Sequence, residues 1–136
     1  MTLMKRSTAR RIKAGASATA LLVSGLGIGV ATAGPASAAT CYGGAVKFTK
    51  LIDNRYSERY KTSSACSDIN LKVTYPSSVQ VKVCFYTSAD NLNYCQADYR
   101  TANKDIWRAV AVDVKDDVYY RYQFSNSNSV TAYTAD

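Results

Sequence analysis

Four cysteines, Cys41, Cys66, Cys84 and Cys95, and the carboxylates Asp113, Asp116 and Asp117 are the side chains here best suited to chemistry. Thiolates hold metals or form disulfides, and paired carboxylates bind calcium or divide acid and base roles. No histidine accompanies them. A Ser-His-Asp triad, a Cys-His dyad, a His-ligated metal and a histidine general base all need an imidazole, so hydrolase and metalloenzyme chemistry is disfavoured. No catalytic residue, metal or cofactor is therefore expected. The cysteines also lack the C-x-x-C pair that marks a zinc site. Asp116 and Asp117 adjoin at a charged turn, where neighbouring side chains point apart, and read as solvated. Glu58, beside Arg59 and Tyr60, is the only glutamate and would make a nuclease base only with an acid partner that the chain lacks.

The elements that must position these residues begin after an export signal. The chain has 136 residues with 17 Lys+Arg against 10 Asp+Glu. Five of those cations, Lys5, Arg6, Arg10, Arg11 and Lys13, precede any acidic residue. An uncharged stretch from Ala14 to Ala33 follows, then Gly34-Pro35 and the small-x-small run Ala36-Ser37-Ala38. This order predicts a signal peptide over 1–38, cleaved after Ala38, and a secreted, extracellular protein without a membrane segment after cleavage. The remaining chain holds 12 basic and 10 acidic residues, so the basic excess belongs to the leader and does not point to nucleic acid.

All four cysteines follow Ala38, and an even number in a small exported chain predicts a disulfide framework. Val79–Thr87 alternates as a strand, Ser88–Asn91 has turn composition, and Asn93–Gln96 can return antiparallel. Folding that hairpin places Cys84 opposite Cys95 and leaves Cys41 for Cys66. Period-2 patterning continues through Ile69–Tyr75, Ile106–Val114, Val118–Phe124 and Val130–Thr134, with no convincing helical period. Ile106–Val114 is apolar on both sides and reads as the central strand, with Trp107 as a buried anchor. The expected fold is all-β: a small antiparallel β-sandwich (immunoglobulin-like) of six to eight strands, its domain over 66–136 preceded by an N-terminal extended segment over 39–65 in which Val46–Leu51 can pass for one strand and Tyr56–Thr62 for a poor second. With glycine confined to Gly43 and Gly44 after Ala38, the turns must rely on Asn, Asp and Ser.

Tyrosine is the compositional anomaly, with 11 residues. Tyr120 and Tyr122 run in phase with Val118 and Phe124 and read as core. Tyr86, Tyr94, Tyr119 and Arg121, with Lys82, read as a candidate contact surface. In the weakly patterned segment 39–65, Tyr42, Gly43, Gly44, Val46, Phe48 and Leu51 are the candidate partner-binding residues, suited to strand addition onto another protein; the alternative for the segment is an ordinary edge strand plus loop of the sandwich.

Cys66-Ser67-Asp68-Ile69-Asn70-Leu71, Val83-Cys84-Phe85, Cys95-Gln96, Trp107, Val112-Asp113-Val114, Tyr122-Gln123-Phe124 and Ala132-Tyr133 carry a further signal. In these the chain resembles small secreted actinomycete β-sandwich proteins, among them the adapter subunit of umbrella toxin particles. The resemblance implies a non-enzymatic adapter that bridges a lectin-bearing subunit and the repeat-containing stalk of a large secreted toxin complex. It also implies contact through Ala39 to about Ile52, and a glycine where Asp116-Asp117 stand. The alternatives are a secreted proteinaceous enzyme inhibitor and a carbohydrate-binding module. The inhibitor resemblance expects an exposed Trp-Arg-Tyr turn, whereas Ile106-Trp107-Arg108-Ala109 reads as strand.

Overall fold

The computed structural model of the chain describes residues 36–136. The expected leader lies outside the described residues except for its last three positions, which open a short helix, α1, Ala36–Gly43. Nine strands follow among the described residues: β1 Val46–Lys50, β2 Tyr60–Lys61, β3 Ile69–Tyr75, β4 Ser78–Tyr86, β5 Leu92–Cys95, β6 Arg100–Asn103, β7 Trp107–Ala111, β8 Tyr119–Phe124 and β9 Val130–Ala135. They form two antiparallel sheets. One has the order β1-β9-β3-β7; the other runs β2-β8-β4-β5, with β6 also paired to β4. The all-β class and both disulfides, Cys41–Cys66 and Cys84–Cys95, are as the sequence predicts.

Alternation decides which side chains meet between the sheets. Val81, Val83 and Phe85 of β4 and Tyr120, Tyr122 and Phe124 of β8 face Leu71 and Val73 of β3 and Val130 and Ala132 of β9, all buried. Each such side chain contributes roughly 1.5–3 kcal/mol on removal from water. Two of the largest carry hydroxyls, and a buried hydroxyl without a partner is destabilising. Both are satisfied across the sandwich. Tyr122 Oη donates to the Asn70 carbonyl at 2.9 Å and lies 2.9 Å from Thr134 Oγ1; Tyr120 Oη is 2.8 Å from the same Thr134 oxygen and donates to the Asp136 carboxylate. Phe48 stacks on Tyr122 with centroids 5.9 Å apart, and Tyr60 lies 5.6 Å from Tyr120.

The N-terminal segment is part of this core and not a detached arm. Phe48 and Lys50 alternate inward on β1, whose five residues all pair with β9. Phe48 is only 9% exposed and Lys50 3%. The Lys50 ammonium donates to the carbonyls of Asn54, at 2.6 Å, and Asn128, and sits 5.3 Å from the Phe124 ring centre. It clamps the loop after β1 to the loop before β9, and burial lowers its pKa. β2 likewise joins the second sheet through β8. Segment 39–65 thus supplies one strand to each sheet, after a helix that the sequence pattern did not announce.

The expected central strand is an edge. β7 ends at Ala111 and pairs only with β3. Asp113 adopts φ 52° and its amide donates to the Asp68 carboxylate, so the regular ladder stops at Ala111 and the Val114 amide reaches only the Ser67 carbonyl in the loop before β3. β3 and β9 hold the middle of that sheet, β8 and β4 the middle of the other. Trp107 is half-buried on the outer face and is no core anchor.

Among the described residues five non-glycine positions have left-handed backbone, and all are aspartates: Asp53, Asp90, Asp105, Asp113 and Asp117. Asp tolerates this region because its short side chain bonds locally, at a cost that glycine avoids. Asp117, at φ 61°, occupies the turn where a glycine was expected and adopts the left-handed conformation itself.

Two outcomes follow for stability. Reducing both disulfides removes roughly 3 kcal/mol each of chain restriction, so the melting temperature should fall markedly in reductant; an unchanged value contradicts this. Burial, with smaller contributions from Glu58 and Asp136, pushes the Tyr60 phenol up to about 12, and burial also raises Tyr120 and Tyr122. These folded-state values lie above the unfolded value of about 10, so their stabilisation is complete below that pH and declines above it. The lowered pKa of Lys50 acts in the opposite sense, but as one group against several raised ones. Urea unfolding should show stability falling between about pH 10 and 12, and a flat profile refutes the assignment.

Candidate functional site

The five-stranded sheet turns one set of side chains inward and presents the other. Tyr86 on β4 and Tyr119 and Arg121 on β8 fall on the outward set, with Tyr86 directly opposite Tyr119. The Arg121 guanidinium lies 5.5 Å from the Tyr86 ring centre and reaches both Asp90 oxygens, at 3.2 and 3.4 Å. Arg59 approaches the same carboxylate at 3.4 Å and covers Tyr119 at 4.6 Å. Asp90 can do this because its left-handed turn, at φ 63°, closes the β4–β5 hairpin beside β8. Lys61 sits 5.7 Å over Tyr119 and pairs with Asp117 at 2.8 Å, and Lys82 covers Tyr99 at 4.8 Å. Burial, with Tyr56 adding and Arg121 opposing, raises the Tyr86 pKa. Three of the four residues read as a contact surface therefore share one face.

Tyr94 does not join them. Cys95 pairs with Cys84, so Tyr94 stands opposite Phe85, and their ring centres are 4.9 Å apart. Phe85 points inward, and Tyr94 therefore lines a cleft of about 540 Å3 with Phe85, Ala111, Val112, Val114 and Val118. The cleft opens where β5 and the chain after β7 diverge.

The N-terminal candidates are divided. Phe48 is buried in the core and offers nothing to a partner, because the β1 alternation turns it inward. Leu51 is 71% exposed, and Val46 and Tyr42 are also exposed. Gly43 closes α1, and Gly44 caps it, its amide donating to the Thr40 carbonyl at 3.1 Å. Tyr42 lies over Trp107 with ring centres 4.7 Å apart.

That contact is one end of a row that sequence reasoning missed. On the outer face of the four-stranded sheet Lys47, Tyr133, Lys72 and Trp107 are successive cross-strand partners on β1, β9, β3 and β7. Lys47 Nζ is 5.9 Å from the Tyr133 centre; Lys72 Nζ is 5.2 Å from Tyr133 and 5.1 Å from Trp107. The available signal was lysine at outward positions of strands that hold no Asp or Glu.

The residues considered for acid, base or metal chemistry are separated. Asp113 receives no carboxylate partner, its backbone being tied to Asp68; Asp117 pairs with Lys61; Asp116 lines a hollow beside Cys41 and Cys66. Arg59 turns to Asp90 and Tyr119. Among the described residues no group of three His, Cys, Asp or Glu is arranged to hold a metal, and no helix is long and apolar enough to cross a membrane.

The Asp90 pairs are partly exposed, where ion pairs contribute about 0–1 kcal/mol. Asp90→Asn, which keeps the turn, should therefore change unfolding free energy by less than about 1 kcal/mol, and a loss of several would make this network structural rather than a surface feature. Comparison of the chain with protein-family models, with curated proteins and with solved structures finds no match.

Proposed function

We propose that this chain is an exported, non-catalytic adapter that works by protein–protein contacts and holds a different partner on each outer face of its sandwich. The carrying observation is the presence of ring-and-cation surfaces on both sheets: Tyr42, Trp107, Lys72, Tyr133 and Lys47 on one, Tyr56, Tyr86, Tyr119, Arg59 and Arg121 on the other. Tyrosine, tryptophan and arginine are the residues that anchor protein interfaces. A bridge needs two independent surfaces at fixed separation, and the packed core between the two sheets supplies the separation. The disulfides fit an oxidising, extracellular setting. The resemblance to the umbrella particle adapter gives the partners their class: a lectin-bearing subunit and a repeat-containing stalk protein.

The inhibitor reading is weakened because Trp107 and Arg108 lie within β7 and not at a presented turn. The carbohydrate-binding reading is weakened because the rings best placed for stacking are already covered by cations.

Affinity purification of the tagged protein from the culture supernatant of its source, with mass spectrometry, tests the proposal. A lectin-bearing protein and a large repeat-containing protein should be recovered together. Deleting 39–52 would remove β1 from its sheet, so point variants are the sharper probe. K47E/K72E should lose one partner and R59E/R121E the other. Recovery of the chain alone, or of a single enzyme that it inhibits, overturns the reading.

A further inference from the structure

Charge is distributed unevenly over this domain. None of the 10 Asp and Glu residues falls within a strand; every one lies in a connection or at the final position. The two outer faces differ in how these peripheral carboxylates reach them. On the five-stranded sheet Asp90 is shared by Arg59 and Arg121, Asp117 answers Lys61, and Lys82 rests on Tyr99 without a carboxylate. On the four-stranded sheet Lys47 and Lys72 have no carboxylate within ion-pair distance among the described residues. Their ammonium groups rest instead on Tyr133 and Trp107.

We infer that the outer face of the four-stranded sheet is the docking face for an acidic protein segment, with Lys47 and Lys72 as its two charge contacts and the Tyr42–Trp107 pair as its apolar end. This rests on the adapter reading and deepens it by naming the chemistry of one partner. Charge complementarity carries the choice: a face with two uncompensated cations and no anion favours an anionic partner and disfavours a second copy of itself. The lysines stand two strands apart, about 10 Å at the usual strand spacing, which sets the separation of the carboxylates that meet them. A protein segment is favoured over an acidic glycan because the rings are engaged. Trp107 holds both Tyr42 and Lys72, and Tyr133 holds both Lys47 and Lys72, so neither ring of this row is a bare sugar platform.

Trp107 is the only tryptophan of the chain, so its fluorescence reports on this row directly. The full chain is titrated with poly-L-glutamate and, separately, with polygalacturonate, at low and high salt. Poly-L-glutamate should shift the Trp107 emission, with an apparent affinity reduced at least tenfold by K47E/K72E and by raised salt. K47Q/K72Q should give an intermediate loss, which guards against a misfolded charge-reversal variant. K104E/K115E, the same charge change elsewhere, should bind within about twofold of the parent. No response to poly-L-glutamate, an equal response in K47E/K72E, or preference for polygalacturonate overturns the inference. Since no natural partner is used, a positive titration with a negative co-purification would remove the bridging role and leave this face standing, and the converse result would do the reverse.

Discussion

Thr134 is the residue on which the two sheets depend for their mutual position. Its hydroxyl lies within hydrogen-bond distance of Tyr120 and Tyr122, both fully buried, and Tyr122 also donates to the β3 backbone at Asn70. Apolar packing between sheets is nondirectional and tolerates sliding. A polar cluster in a dry core does not, because any slip strands a hydroxyl at a penalty of about 1–3 kcal/mol. The arrangement fixes β8 against β9 and β3, and the outward residues of those strands inherit the fixed register. Arg121 and Tyr119 on one surface, and Lys72 and Tyr133 on the other, are each one residue from a member of that cluster or its strand partners.

With the strands committed to apolar inward and cationic or aromatic outward positions, the acidic residues are left to the connections. There the aspartates serve a second purpose, since all five left-handed non-glycine positions among the described residues are aspartate. Asp90 combines the two: the same turn that closes the β4–β5 hairpin delivers a carboxylate to Arg59 and Arg121. One surface thereby receives two carboxylates from its own loops, against Arg59, Arg121, Lys61 and Lys82. The other keeps its charge, because the connections bordering Lys47 and Lys72 send no carboxylate to them. An asymmetric two-sided module follows from turn chemistry as much as from strand composition.

Local features of this architecture were legible in the sequence. The Cys84–Cys95 hairpin, the inward Tyr120 and Tyr122 and the antiparallel class follow from period-2 alternation and turn composition within a few residues. The same hairpin register places Tyr94 with Phe85, so its separation from Tyr86 was implicit in the spacing. Pairings across long separations were not legible. β1 finds β9 some eighty residues on, and nothing local distinguishes an edge strand from a free arm. β7 read as central because valine and alanine alternate on both its sides, yet Trp107 on its outer side is covered by Tyr42 and Lys72 and not by a second layer. The lysine-tyrosine-lysine-tryptophan row needs three pairings at once and so could be assembled only in the folded chain.

The central claim is that one small domain holds two partners on opposite surfaces at the same time. Sedimentation of the lectin-bearing and repeat-containing proteins that the proposal expects as partners, mixed with and without this chain, tests it most directly. The account predicts a ternary complex that forms only when the chain is present and that K47E/K72E or R59E/R121E each reduces to a different binary complex. Association of the two proteins without the chain, or competition between them for it, would contradict the account.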